Sequence, residues 1–454
     1  MKCVGTAFTC VVVVLVSANE VRATTLHVAN TGVDSATCGP QAAPCRSIGQ
    51  AITNSSAGDT VVVGPGVYGD LTDNGDFLTP GEEPGGPACG RGVICIDKPL
   101  IIESSHGAPA TLYKDGGGVQ VLADGVVFGG AGKGFTLAGR SGNNIYVAPG
   151  TTGSTVRGNV LSRQSAIYLA GTGHVVDGNA AFSDSDGGCC LVNVQGSGHS
   201  VTSNVILAQG SGIEVAGTDI VIQGNSIFGN IVGIFVSDAT NVRINGNNIV
   251  ANGQNSSDFV VNCGIYNTSG MTIDATNNFW GAASGPGPDP ADEVCDAPSS
   301  TTTVSPFATQ QFPIASPGGG GGGGNGSPVC TAAQAVPSML WPANGQFIRV
   351  WIIGIGDPDD DPVAVSVSGV TQDEPTTGMV TGDSGPDAVL FGSSVDLRAQ
   401  RDAGGNGRTY RVQFEANDGN GGSCTGAVTV GVPNSQKPGQ AIVDDGQNFD
   451  STQP

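Results

Sequence analysis

Between residues 154 and 280, apolar and polar positions recur in one short phrase: an apolar residue, two small or polar ones, then asparagine. It reads VRGN ending at Asn159, VDGN at Asn179, VTSN at Asn204, IQGN at Asn225 and INGN at Asn247, followed by a looser IDATNN with Asn277 and Asn278. Successive asparagines are 20, 25, 21, 22 and 30 residues apart, too short for a helical pair and right for a coil of three brief strands. Aligning the asparagines makes columns. Val156, Val176, Val201, Ile222 and Ile244 precede them by three positions, and Leu161, Ala181, Ile206, Ile227 and Ile249 follow by two. A further strand of each coil supplies Ile167, Val192, Ile213 and Ile234, then Leu169, Val194, Val215 and Val236. Strand periodicity turns all four columns inward. Stacked coils lie ~4.8 Å apart, so the asparagines can bond one another's amides along the axis while tolerating a left-handed bend.

Upstream, VICI, LIIES, VQVLADGVVFGG and GFTLAG alternate with glycine turns and read as earlier coils. Ser47 to Ser55 (SIGQAITNS) spaces Ile48 and Ile52 as in a helix, with Ser47 as N-cap; a short amphipathic helix there would plug the open end of the stack. Trp280 is placed to plug the last coil.

The pattern resembles the right-handed parallel β-helix repeat proteins, the fold shared by pectate lyases and alginate epimerases, over roughly residues 24–312. GDTVVVGPGVYGD at 58–70 looks like their usual first coil and TIDATNNFWGAASGPG at 272–287 like their last. The resemblance implies an elongated ligand face, and in the enzymes a base beside a uronate carboxylate with a neutralising cation. The repeats here hold few cations: Arg140, Arg157, Arg163 and Arg243, with His174 and His199.

The outward residues of the two strands carry the candidate chemistry. One column runs Tyr168, Asn193, Glu214, Phe235 and Tyr266; the other runs Arg157, Asp177, Thr202, Gln223, Asn245 and Asp274. Aromatics beside polar groups stack on sugar rings and bond their hydroxyls, although ladders of this kind also serve as ordinary β surface. Glycoside hydrolysis would need two carboxyls, and Glu214 with Asp177 or Asp219 are the acids available. His174 is a candidate base. It shares a column with His199, which elsewhere holds Ile220 and Val242, a packing pattern. Arg157 beside Asp177 reads as a cross-coil ion pair.

Two acidic stretches are candidate calcium sites. Asp70, Asn74 and Asp76 bracket Gly75 as in half of an EF-hand loop, although the closing acid, Glu82 or Glu83, falls late and the flanking helices are missing. Asp357, Asp359 and Asp361, with Asp418 and Asn420, offer oxygens near strand ends. A solvated acidic turn is the alternative at both.

Residues 1–23 combine Lys2, an apolar run and Val21-Arg-Ala23, the pattern of a cleaved signal peptide. Ten of the 12 cysteines lie beyond it, as expected in an oxidising compartment. Pairs confined to one loop or domain are Cys38 with Cys45, Cys89 with Cys95, Cys263 with Cys295, and Cys330 with Cys424. Cys189 and Cys190 are left as a vicinal disulfide, a soft-metal site or free thiols. The insertion at 252–263 reads as a lid stapled by Cys263. Charge adds an exclusion: 39 acidic against 17 basic residues, net −22, offer nucleic acid or an anionic membrane little to hold.

A glycine-rich linker spans 313–328, and a second module spans 329–434, where QFIRVWIIGI, PVAVSVSGV, VDLRAQR, RTYRVQFEAND and SCTGAVTVGV read as an antiparallel β-sandwich. It resembles the Ig-like modules of bacterial surface proteins. Residues 435–454 read as a disordered tail. The expectation is an all-β secreted or cell-surface protein that binds a polysaccharide or other glycan, with a polysaccharide-active enzyme (lyase, epimerase or glycoside hydrolase) and a structural or adhesive spacer as alternatives.

Overall fold

The computed structural model describes residues 23–453 apart from 73, 87, 115, 140–144, 164–165, 183–189, 208–209, 254–261, 289–290, 313–326, 331–332, 354, 356–362, 378–384 and 435–442. Residues 1–22, which cover nearly all of the expected signal peptide, the glycine run, Cys189, Asp357, Asp359 and Asp361, and most of the 252–263 insertion therefore lie outside the described residues.

Short apolar strands joined by tight turns close into a right-handed parallel β-helix, because each strand finds its backbone partners one coil away. Each coil contributes to three faces. Thr155–Arg157, Val175–Asp177 and Ser200–Thr202 stand in sheet 1; Val160–Arg163, Ala180–Phe182, Val205–Leu207, Ser226–Phe228 and Asn248–Val250 in sheet 2; Ile167–Leu169, Val232–Val236 and Cys263–Asn267 in sheet 3. The strand Ser211–Gln223 runs from sheet 3 into sheet 1 without a break.

The four inward columns are in register as expected. Val156 faces Val176, then Val201, Ile222 and Ile244, and Leu161 begins Ala181, Ile206, Ile227 and Ile249; all are at most 2% exposed. Tyr68 and Tyr113 extend the second column toward the N-terminus, so one apolar core runs from Leu26 to Trp280.

At the corner between sheets 1 and 2 stands the asparagine ladder. Each Oδ1 accepts two bonds from the coil before: Asn159 donates its backbone N–H (3.0 Å) and Nδ2 (3.1 Å) to Asn179, and the pattern repeats through Asn204, Asn225, Asn247 and Asn278. Nδ2 also donates to main-chain carbonyls, as from Asn204 to Val176 at 2.9 Å. The left-handed bend falls one residue earlier than expected, on Gly158, Gly178, Ser203, Gly224, Gly246 and Asn277. A second ladder, unforeseen from the sequence, joins Asn230, Asn252 and Asp292.

The N-terminal plug is the helix Ile48–Asn54, whose N-cap Ser47 accepts from the Gln50 N–H while Ile48 and Ile52 are buried. At the far end Trp280 is fully buried in the same core. The four expected disulfides are present. Cys263–Cys295 joins two adjacent strands of sheet 3, and so staples coil to coil. Cys190 is also disulfide-bonded, which removes it as a soft-metal ligand or free thiol.

In the C-terminal part, two four-stranded antiparallel sheets pack as a sandwich: Gln334–Val336, Phe347–Ile353, Ser394–Arg398 and Ala388–Phe391 against Ser423–Val432, Arg408–Asn417, Ala364–Gln372 and Phe449–Asp450. The last strand corrects the expectation of a structureless tail. Phe449–Asp450 pairs with the edge of Ala364–Gln372, and buried Ser451 accepts from the Asp387 and Ala388 N–H groups. Polar composition concealed this, because the bonds are made by backbone. The sandwich touches the solenoid through Trp351, which stacks on Phe228 at 4.8 Å over the apolar outer side of sheet 2, formed by Ala180, Val205 and Val250.

Asn204→Ala should lower unfolding free energy in urea by about 3 kcal/mol, because buried N–H groups of Asn179 lose their acceptor. Ser203→Gly should raise it by about 1 kcal/mol, since Ser203 holds φ 55° where its ladder equivalents are mostly glycine.

Candidate functional site

Sheet 3 turns a mixed column outward. In strict register stand Tyr146, Tyr168, Asn193, Glu214, Phe235 and Tyr266. Tyr146 was missed from the sequence because the asparagine phrase starts only at Asn159; the signal was Ile145-Tyr-Val147, which repeats Ile167-Tyr-Leu169. The column continues to Gln120 and Cys95 on one side and to Cys295 on the other, so both ends run into disulfides. Two tyrosines thus precede a polar pair, and two aromatics follow it. The Phe235 and Tyr266 rings lie 5.5 Å apart, tilted by 38°.

The polar pair is coupled: Asn193 Nδ2 donates to Glu214 Oε2 at 3.4 Å and to Cys190 Sγ at 3.5 Å. Burial raises the Glu214 carboxyl above its ordinary value, partly opposed by a bond to the Ser211 side chain. It therefore holds a proton more readily than an exposed glutamate.

The other proposed catalytic residues do not join it. Asp177 stands on sheet 1, where it pairs with Arg157 (2.9 Å) as expected and accepts from Thr202 Oγ1 (2.7 Å). Asp219 accepts from the Asn241 side chain at the turn toward sheet 1. His174 is wholly buried and stacked on His199, ring centroids 5.2 Å apart. Its Nδ1 accepts from the Ser154 N–H (3.0 Å), and His199 Nδ1 accepts from the His174 N–H (3.1 Å). A backbone N–H can only donate, so both rings are neutral with the proton on Nε2, which in His199 donates to the Gln195 carbonyl. Burial lowers both imidazoles below their usual range. This is a packing pair, with no open nitrogen for base chemistry.

The carboxyl pushed to about 7 by burial, Glu83, is likewise internal: its two oxygens accept the Ile48 and Gly49 N–H groups and hold the capping helix. In the candidate calcium loop, Asp70 accepts from the Thr72, Asn74 and Gly75 N–H groups. Glu82 accepts from Leu71, Thr72 and Thr79. The loop is built of N–H donors gathered round carboxylates. Asn74 and Asp76 are exposed and accept local backbone N–H groups. In the sandwich, Asp418 accepts from Asn420 and Gly422.

With the fold and this face described, comparison with known proteins adds one family. Residues 117–285 match the model described as "Periplasmic copper-binding protein (NosD)". No curated protein matches. Among solved structures, a rhamnogalacturonan lyase is similar at 11% identity, covering 63% of this chain and 88% of its own, with a TM-score of 0.39. The A-module of an Azotobacter vinelandii mannuronan C-5 epimerase is similar at 14% identity, covering 58% and 94%, with a TM-score of 0.25. The enzymatically active domain of bacteriophage CBA120 tailspike protein 2 is similar at 10% identity, covering 89% and 78%, with a TM-score of 0.31.

Copper does not fit the donors on view. Thiolate and thioether donors suit Cu(I), and converging imidazole and oxygen donors suit Cu(II). Among the described residues one group of ligand-type side chains converges, Asp34, Cys38 and Cys45. Its cysteines are spent in a disulfide, and Asp34 accepts the Arg46 and Ser47 N–H groups. The His174 and His199 nitrogens are engaged as above.

Neutral His174 and His199 make a definite pH prediction. Their folded pKa values lie below the unfolded value of ~6.5, so their contribution is complete above that pH and is lost as pH falls. Between neutral pH and pH ~5 this contribution lowers the urea midpoint while the raised Glu83 carboxyl acts in the opposite direction, so the histidine share is read as the difference between wild type and a variant lacking both rings. A His174→Val, His199→Val double variant should start less stable and show a shallower drop.

Proposed function

We propose that the protein binds carbohydrate through the outward side of sheet 3 and works outside the cytoplasm, secreted or at the cell surface. The observation that carries this reading is the ladder of Tyr146, Tyr168, Asn193, Glu214, Phe235 and Tyr266, with flat apolar rings at both ends and hydrogen-bonding groups between. Ring faces stack on the C–H faces of sugars, while the amide and carboxyl meet hydroxyls. The disulfides agree with an oxidising compartment, as does a matching family described as periplasmic. Among the described residues no helix is long and apolar enough to cross a membrane.

A polysaccharide-active enzyme is the second reading, favoured by the raised Glu214 carboxyl. The described residues of the ladder hold one acid, whereas hydrolysis uses two. Binding is therefore the better supported reading. The acidic turn at 70–83 is read as structural and independent of calcium.

Screening the mature chain against immobilised glycans should show retention. Tyr168→Ala and Phe235→Ala should each weaken it by roughly three- to tenfold. Released reducing or unsaturated ends that disappear in Glu214→Gln would establish the enzyme instead, and no retention on any glycan would leave a spacer. In a variant carrying Asp357→Ala, Asp359→Ala and Asp361→Ala, chelation of calcium should leave the thermal midpoint unchanged; a drop restored by added calcium would place a calcium site at the 70–83 turn.

A further inference from the structure

The strand Phe449–Asp450 lies at a seam where the two sheets of the sandwich meet. Ser451 donates its N–H to the Val370 carbonyl (3.0 Å), and its own carbonyl accepts the Asp387 and Ala388 N–H groups (2.8 Å each). One residue thus joins the edge of Ala364–Gln372 to the start of Ala388–Phe391. Gln447 accepts from Thr371 Oγ1 and donates to the Thr409 carbonyl, and the Asp445 N–H reaches the Asp373 carboxylate at 3.3 Å. Along 443–453 the buried residue is this serine, whereas Val443 is 47% exposed and Phe449 half-buried. Hydrogen bonds, many of them to main chain, hold the segment with little apolar burial behind them.

What the segment covers is polar as well. Arg408 and Asp387, both fully buried, pair at 2.8 Å, and Gln372 Nε2 donates to the same carboxylate at 2.9 Å. Gln372 Oε1 and Ser451 Oγ are buried with no hydrogen-bond partner among the described residues, so closing the seam leaves two polar atoms unsatisfied. Opening it would return those atoms and the Arg408–Asp387 pair to water rather than expose apolar side chains. A strand held this way over a polar floor detaches more readily than one anchored by buried hydrophobic groups.

The bonds at a strand edge are the same whichever chain supplies the strand. We propose that the seam is a strand-accepting site, and that residues 443–453 of one copy enter the seam of a second copy, which returns its own segment and closes a two-fold dimer. Every bond described above is then kept, with its two partners on different chains. Eight residues separate Asn434 from Val443 and span at most roughly 30 Å. The two sandwiches therefore lie side by side, and reciprocal exchange is the arrangement that leaves neither seam empty. Docking within one chain prevails in dilute solution, because a short tether sets a local concentration near the millimolar range; exchange gains as the protein approaches that concentration.

The test uses the full mature chain in light and heavy-isotope forms, mixed in equal amounts, incubated at ~0.1 and ~1 mM and treated with a dihydrazide that links carboxylates. Asp445 and Asp373, neighbours across the seam, should give cross-links joining a light chain to a heavy one. These should be several-fold more abundant at the higher concentration and confined to the dimer fraction on gel filtration. Ser451→Pro, which removes the N–H that Val370 accepts, should lower the dimer fraction by tenfold or more. Links only within light or within heavy chains at both concentrations would overturn the exchange. A dimer equally abundant in Ser451→Pro would rest on another surface and overturn it too, and no dimer at either concentration would show the segment to be a fixed part of its own sandwich.

Discussion

The bond on which the rest depends is the one from each asparagine to the next along the corner between sheets 1 and 2. A backbone turn there must expose main-chain N–H and C=O groups on the inside of the coil, where no water reaches them. A primary amide carries two donors and an acceptor with two lone pairs, so one asparagine can take the N–H of its neighbour below and satisfy carbonyls beside it. Asn204 does this with Asn179, Asn225 and Val176 at once. Aspartate could accept but not donate, and leucine could do neither. Repeating the residue at every coil therefore holds the turn to one geometry, and with it the angle at which sheets 1 and 2 meet.

Once the turns repeat, side chains at equivalent positions must stack, and each outer face takes on a character of its own. Sheet 1 is a ladder of polar groups that satisfy one another, as Arg157, Asp177 and Thr202 do. Sheet 2 is apolar outside as well as in, and Trp351 of the sandwich lies against Phe228 there. Asn248, at the edge of the same patch, exchanges two bonds with the Phe312 backbone. Sheet 3 is left to present aromatic and polar side chains together. The face assigned to ligand is thus distinguished by what the other two already hold.

The inward columns were legible because burial imposes one residue class at a fixed interval, and Val156 to Ile244 never departs from it. The disulfides were legible because each pair is confined to one loop or one domain. Which outward columns share a face was much less so. Asp177 and Glu214 look like partners in a list of acids, yet they belong to different sheets. The docking of Trp351 had no periodic signal at all, being one residue from a strand more than a hundred positions away from Phe228. Tyr146 was readable in principle, since its strand repeats that of Tyr168, but the asparagine phrase drew the boundary too late.

A stack bonded only to its neighbours is weakest at its ends, where the first and last coils lack one partner each. The covalent and apolar reinforcements sit there. Cys38–Cys45 and the helix Ile48–Asn54 close the first coils, with Glu83 fixing the helix by its two terminal N–H groups. Cys263–Cys295 and buried Trp280 close the last. Between them, the coils carrying Tyr168, Asn193, Glu214 and Phe235 are held by register, the asparagine ladder and the packing of Trp351 on the outer side of sheet 2. End closure stops fraying from reaching the middle, and an unfrayed middle is what a ligand spanning several coils requires, since losing the register of one coil would break contacts on both sides of it.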